Sequence, residues 1–239
     1  MRAARNQSRR RSPGVRVQGS FRQSKLYDLL AASPLIVFYG FAIAGLSGQI
    51  ADAVREALAA GGIARMLNAL SLIGIFCFAA VQIVLLLVRR VPVRFSEDWL
   101  SRAVALAGSN ATFAFLLLPR VAQGPALQAV SAALSILGSA GAITVALWLG
   151  RGFAILPQAR RLVVSGPYRF VRHPLYLAEM IAALGVMLQF RQPWALAILA
   201  AAYAFQFARM HYEEQVLAAA YPAYRDYMAR TARLIPGLY

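Results

Sequence analysis

Two clusters in the 239-residue chain hold residue types able to do chemistry, and both fall in its last third. The first runs Ser165-Gly166-Pro167-Tyr168-Arg169-Phe170-Val171-Arg172-His173-Pro174-Leu175-Tyr176, and the second Arg209-Met210-His211-Tyr212-Glu213-Glu214-Gln215-Val216-Leu217. Gly166-Pro167 is a turn signal, and Pro174 suits the first turn of a helix, where a missing N–H costs nothing. His173 then stands near the N-cap. The free N–H groups of the helix that follows favour an anion, and Arg172 adds a planar fork for a carboxylate, so a bound amino-acid carboxylate would fit there. In the second cluster Arg209 and Glu213 are four apart and share a helical face, while Glu214 points about 100° away. One carboxylate can then accept from a ribose diol or an ammonium group while the other orients an Arg or His of the neighbouring loop. Taken alone, this cluster also suits a solvated interfacial helix with an ordinary Arg–Glu pair. Glu179, three residues after Tyr176 on the same helical face, is either a structural ion pair near a membrane edge or a ligand contact.

The elements that must position these residues are membrane helices. The chain is 60% hydrophobic and only 14% charged. Its apolar residues gather into runs near the roughly 20 residues needed to cross about 30 Å of hydrocarbon. Six runs qualify: Leu29–Gly48, Leu67–Val88, Ala103–Leu118, Leu127–Leu149, Pro174–Phe190 and Trp194–Phe207. The third and sixth are short, so the expected fold is an all-α, polytopic membrane helix bundle of five to six transmembrane helices. Of 25 basic residues, all but Arg55, Arg65, Arg120 and Arg191 fall on one side of this arrangement, which places both termini in the cytoplasm by the positive-inside rule. That topology accounts for the net charge of +16, so nucleic acid is not an expected partner and anionic lipid is.

Three regions follow. Residues 1–26 form a basic, apolar-poor cytoplasmic tail expected to be flexible. Residues 27–149 are a scaffold of four spans without intramembrane charge. In it Gly45, Gly48, Gly138 and Gly141 are expected to permit close helix approach, and Asn110 and Thr112 to bond between helices. Cys77, the single cysteine, is expected to be packing inside the second span; it excludes an internal disulfide and a thiolate metal cluster, and no metal is expected. Residues 150–239 hold a cytoplasmic loop, a hairpin turning at Arg191-Gln192-Pro193, and a charged C-terminal helix, so loop and tail return to one membrane face.

The stretch Leu162–Gly185, together with Arg209, Glu213, Glu214, Leu217, Tyr224, Tyr227 and the closing Leu234-Ile235-Pro236-Gly237, resembles the isoprenylcysteine carboxyl methyltransferase family and the related phospholipid methyltransferases. The resemblance covers about residues 150–239. It implies an S-adenosylmethionine site at the cytoplasmic face and a lipophilic acceptor entering from the bilayer, with carboxyl O-methylation as the leading reaction and a thiol, an amine or a phospholipid headgroup as other acceptors; the Arg- and Ala-rich composition points to a bacterial inner membrane. Carried over by motif position, Tyr168, Arg172, His173, Tyr176, Glu213 and Glu214 are cofactor-site residues. Arg209 and Glu213 are the catalytic candidates, with Arg209 orienting the acceptor's polar end. A carboxylate acceptor is ionised at neutral pH and needs no base. There is no Gly-x-Gly loop and no alternation of strands with helices, so such a site must be made of helix ends and loops. Two other readings compete: a sterol-reductase-type membrane enzyme using NADPH, and a transporter or assembly subunit, for which mid-bilayer polar residues and an internal repeat are missing.

Overall fold

The computed structural model describes residues 24–96 and 98–237, so nearly all of the basic tail lies outside the described residues. Seven α-helices follow in order: α1 (Lys25–Ala60), α2 (Ile63–Val88), α3 (Trp99–Asn110), α4 (Pro125–Leu149), α5 (Pro174–Met187), α6 (Trp194–Ala220) and α7 (Tyr224–Arg230). Four helical stretches are long and apolar enough to cross a membrane, Lys25–Ala60, Ile63–Val88, Trp99–Leu117 and Pro125–Gly152, and α5 is a shorter apolar helix. The expectation of a membrane helix bundle holds.

Individual elements differ from their hydropathy limits for identifiable reasons. Helix α1 starts where Ser24 Oγ accepts from the Tyr27 amide, and runs 36 residues, about 54 Å. Its C-terminal third keeps good helix formers but gains Asp52, Arg55 and Glu56, which end the hydropathy signal before the helix ends. Asp98 caps α3 by accepting from the amides of Leu100 and Ser101. That helix then tightens into a 3-10 segment at Ala111–Leu117, and the two together make up the short third crossing.

Helices α1, α2, α4 and α5 pack in that sequence, and α3 lies against α6. The α4–α5 contact is the tightest. A Cβ on Gly138 would fall 2.2 Å from the Ala182 amide nitrogen, and one on Gly185 would fall 2.6 Å from that of Ser135. Ser131 Oγ donates to the Gly185 carbonyl at 2.8 Å, a bond only backbones this close allow. Gly141 has more room, a Cβ there falling 3.3 Å from the Ala178 Cβ, whereas Gly45 and Gly48 face open space, so the expected close approach fails for that pair. Two further expectations are corrected. Cys77 is exposed on the outside of the bundle, and Asn110 Nδ2 donates to the Leu106 carbonyl of its own helix.

The bundle also carries a two-stranded ribbon, with β1 (Arg94–Phe95) antiparallel to β2 (Gln158–Ala159). Bonds from Val93 N to Ala159 O, Ser96 N to Pro157 O and Arg90 N to Arg151 O extend the seam. It fastens the loop after α2 to the loop before α5.

Buried charge reinforces that seam, at helix ends just outside the expected spans Leu29–Gly48 and Leu67–Val88. Asp28, at the start of α1, takes both Arg89 Nε and Nη2 at 3.0 Å and Arg160 Nη2 at 2.6 Å. All three side chains are buried, and Lys25 Nζ adds a bond to the Arg89 carbonyl. The cluster joins α1, the end of α2 and β2. Asp28→Ala leaves two buried guanidinium groups without their counter-charge and is expected to cost about 3–5 kcal/mol. Its thermal midpoint in detergent should fall sharply, while Asp52→Ala, at an exposed pair with Arg55, should leave the midpoint unchanged.

Candidate active site

The two chemistry-bearing clusters meet at the loop end of the α5–α6 hairpin. Gly166 has φ +61°, and a Cβ there would overlap the Trp148 indole, so the turn into Pro167 requires glycine. A short 3-10 turn over Gly166–Arg169 then carries the chain to His173, the N-cap of α5, with Pro174 as its first residue. The segment after α7 returns alongside. Arg172 N donates to the Ala232 carbonyl at 2.8 Å and His173 N to the Arg233 carbonyl at 3.1 Å.

Glu214 is the hub of this junction. His173 Nε2 lies 3.0 Å and Arg172 Nε 3.1 Å from its Oε1, while Arg233 Nη2 reaches its Oε2 at 2.5 Å. Arg172 also donates to the Met228 carbonyl at 3.1 Å. Burial alone would lift the Glu214 carboxyl, but hydrogen bonds from His173 and Arg233, with the charges of His173 and Arg172, outweigh it and hold it at about 2. Glu214 is thus spent on the protein's own cations. Arg233 is a site residue that sequence reasoning missed, because it sits in a tail where one more arginine looks like topology.

Glu213 points elsewhere, as its roughly 100° offset requires, and takes a short hydrogen bond from the Tyr176 hydroxyl. The Tyr176 ring stacks on His173 at 5.2 Å, and the Arg209 guanidinium lies over it at 4.6 Å. One tyrosine therefore touches residues of both clusters.

Two cavities adjoin its partners, one bordered by His173 and Glu213 and the other by Arg209. The smaller, about 40 Å³, is a cleft bounded by Tyr168, Arg172, His173, Glu213, Tyr224 and Tyr227, together with other loop residues; Tyr176 and Glu214, expected at the same site, do not line it. Tyr227 Oη donates to the Tyr168 carbonyl at 2.5 Å, which fixes the mouth. Burial pushes the Tyr227 phenol up to about 12 and those of Tyr168 and Tyr224 higher still, so near neutral pH all three are un-ionised.

The larger cavity, about 360 Å³, runs between the helices and is mostly apolar, with Leu46, Phe113 and Phe115 among its walls. Near the loop end it meets Glu179, Gln206 and Arg209, and at the far end Gln49 and Arg120, joined by a 2.8 Å hydrogen bond. Gln206 Nε2 donates to Glu179 at 2.8 Å, and Arg209 Nη1 stands 3.9 Å from the same carboxylate. Arg209 Nη2 donates to the Ile155 carbonyl, but its Nε, although buried, has no hydrogen-bond partner. Glu179 is therefore both an ion-pair partner and part of a cavity wall.

Residues 119–224 match the family model for phospholipid methyltransferase. That stretch is a phospholipid methyltransferase-family segment. It holds every sequence-expected site residue, from Tyr168 to Glu214, and leaves out α1, α2, α3 and Arg233. The chain is also similar to the cobalt-zinc-cadmium resistance protein CzcN of Cupriavidus metallidurans, 37% identical over 78 residues, 32% of this chain and 36% of that protein. It is 33% identical over 114 residues to the nickel-cobalt-cadmium resistance protein NccN of Alcaligenes xylosoxydans xylosoxydans, 46% of this chain and 53% of that protein. The chain thus spans between about a third and about half the length of the curated relatives it matches.

Proposed function

We propose that the chain is an integral membrane methyltransferase that uses S-adenosylmethionine to methylate the carboxylate of a lipophilic acceptor at the cytoplasmic face. The observation that carries this is the pair of cavities served by adjacent turns of α6. Glu213 stands on the cleft, and Arg209, one turn earlier, on the apolar chamber.

The residues of the cleft suit the cofactor. Glu213 offers a carboxylate for an ammonium group or a ribose diol, Arg172 a guanidinium for a carboxylate, and Tyr168, Tyr224 and Leu217 apolar surface for a base. At about 40 Å³ the cleft is far below the roughly 300–1,000 Å³ of small-molecule sites, so binding requires the cleft to widen. S-adenosylmethionine, when bound, supplies a methyl group on a positively charged sulfur. The protein's share is alignment and exclusion of water: Arg209 holds the acceptor carboxylate, the apolar walls take its chain, and no side chain has to remove a proton. Positioning of this kind supplies up to roughly 7–11 kcal/mol.

The relatives' names supply a setting. Among the described residues no group of three or more His, Cys, Asp or Glu is placed to hold a metal ion. A part in resistance to cobalt, zinc, nickel or cadmium would on this reading come through methylation of a membrane component. The starts of α1 and α5 and the ends of α2 and α6 share one face, which supports a cytoplasmic site with both termini on that side, the arrangement expected for a bacterial inner membrane.

Titration calorimetry with the purified protein tests the cofactor, and labelled S-adenosylmethionine added to membranes tests the reaction. Wild type is expected to bind S-adenosylmethionine and to place base-labile label in the lipid extract. Glu213→Ala should weaken binding at least tenfold, the loss of one charge-assisted contact. Binding of NADPH with none of S-adenosylmethionine, or label stable to base, would overturn the proposal.

A further inference from the structure

The chamber is lined by more helices than the matched segment contains, and two of them, α1 and α2, present polar residues at its loop end. Of the lining positions on each helix, the one nearest the loop is Tyr39 on α1, Gln82 on α2, Glu179 on α5 and Arg209 on α6, with the small residues Gly108 on α3 and Ala142 on α4. Ile155 and Phe153 close that end. Tyr39 and Gln82 are only 3% and 7% exposed. Tyr39 packs edge-on against Phe38 and lies close enough to Glu179 and Arg209 to feel both charges. Neither the Tyr39 hydroxyl nor the Gln82 amide makes a hydrogen bond to any described residue, and neither is sealed from solvent, whereas Arg209 Nε is sealed and makes none. Polar groups that open onto a cavity pair with whatever fills it, and these three residues border the same one.

We infer that Tyr39 and Gln82 form a second recognition point in the acceptor chamber, one that reads a neutral hydrogen-bonding group, an amide or a hydroxyl, next to the carboxylate held by Arg209. The inference rests on the methyltransferase reading for its carboxylate and adds the chemistry beside it. The preferred acceptor is an acylated amino acid or a hydroxylated lipid acid in place of a plain fatty acid. A phenol and a primary amide together offer donors and acceptors but no charge, which matches a neutral polar group and not a second ionised one. A site built to bond a substrate group rejects an analogue lacking it strongly, because its own polar atoms then stay unpaired. Selectivity of this origin lies on α1 and α2, outside residues 119–224, so the scaffold helices choose the acceptor while the matched segment does the chemistry.

Two acceptors of equal chain length separate the possibilities: N-dodecanoylglycine, with an amide beside its carboxylate, and pentadecanoic acid, without one. Binding of each to the full chain in detergent is measured by calorimetry, and methyl transfer to each by label. Wild type is expected to bind the amide-bearing acid about tenfold more tightly, and the double variant Tyr39→Phe, Gln82→Leu to bring the ratio close to one. Both substitutions keep shape and remove only unpartnered polar atoms, so folding is preserved, which thermal denaturation verifies. A wild-type ratio near one, as when ordered water satisfies these groups, or a ratio unchanged in the double variant, overturns the inference. Discrimination in binding that the double variant abolishes, with no methyl transfer to either acid, upholds the recognition point and overturns the methyltransferase reading.

Discussion

Replacing Arg209 by methionine, together with Glu179→Gln so that no lone charge is left buried, is expected to lower kcat/KM for the acceptor by about 10²–10³-fold, roughly 3–4 kcal/mol. Binding of S-adenosylmethionine should persist. Arg209 is 3% exposed, its Nε is unpartnered, and it borders the chamber and not the cleft. Removing the Arg–Glu pair as a unit avoids the penalty of an uncompensated charge, so the loss reports on the acceptor. Arg209→Lys should recover part of it, because charge remains but the planar group over Tyr176 and its fork for a carboxylate do not. Steady-state kinetics with calorimetry decides the matter: an equal loss of cofactor binding would make Arg209 a support for Tyr176 and Glu213 and not an acceptor ligand.

The largest loss of stability at the site is expected at Glu214. Glu214→Ala leaves Arg172, His173 and Arg233 facing one another, which should cost about 3–5 kcal/mol and cofactor binding with it. Glu213→Ala should by contrast lose binding at a smaller cost in stability, about 1–3 kcal/mol from the Tyr176 hydroxyl left without its acceptor. Acid should reproduce the first effect. Because the Glu214 carboxyl is held at about 2, below its ordinary value of 4.5, its contribution is complete above about pH 4.5 and is lost as pH falls toward 2. Denaturation midpoints in detergent between pH 7 and pH 3 should decline for wild type and be flatter for Glu214→Gln.

The meeting of Arg172 and His173 with Glu214 was legible in the sequence, because a three-residue turn at Arg191–Pro193 makes two hydrophobic runs antiparallel and brings their far ends together. The divergence of Glu213 from Glu214 follows from helix geometry alone. Other contacts left no local trace. Asp28 lies 132 residues from Arg160, and a single acidic residue at the start of a span looks like ordinary capping. The β1–β2 ribbon is two residues long, too short for alternation to register. Tyr39 and Gln82 read as apolar-run residues with a polar tip, since hydropathy gives a helix its depth but does not fix which face meets a cavity. Gly45 and Gly138 look identical in composition, and only the neighbour each helix finds decides which one permits contact.

The buried Asp28 has a bearing on how the chain is made. Its carboxylate is synthesised with the first helix, Arg89 follows 61 residues later, and Arg160 is 132 residues behind. At about 5–20 residues per second, the last partner emerges roughly ten seconds after the first. During that interval α1 must wait with its acidic end at the membrane boundary, in reach of water. The Arg89 contact draws α1 against α2 first, and Arg160 then clips the emerging loop onto a pair of helices already in place. The wall of the cleft is in this way assembled against a finished scaffold, before the hairpin that completes the site has entered the bilayer.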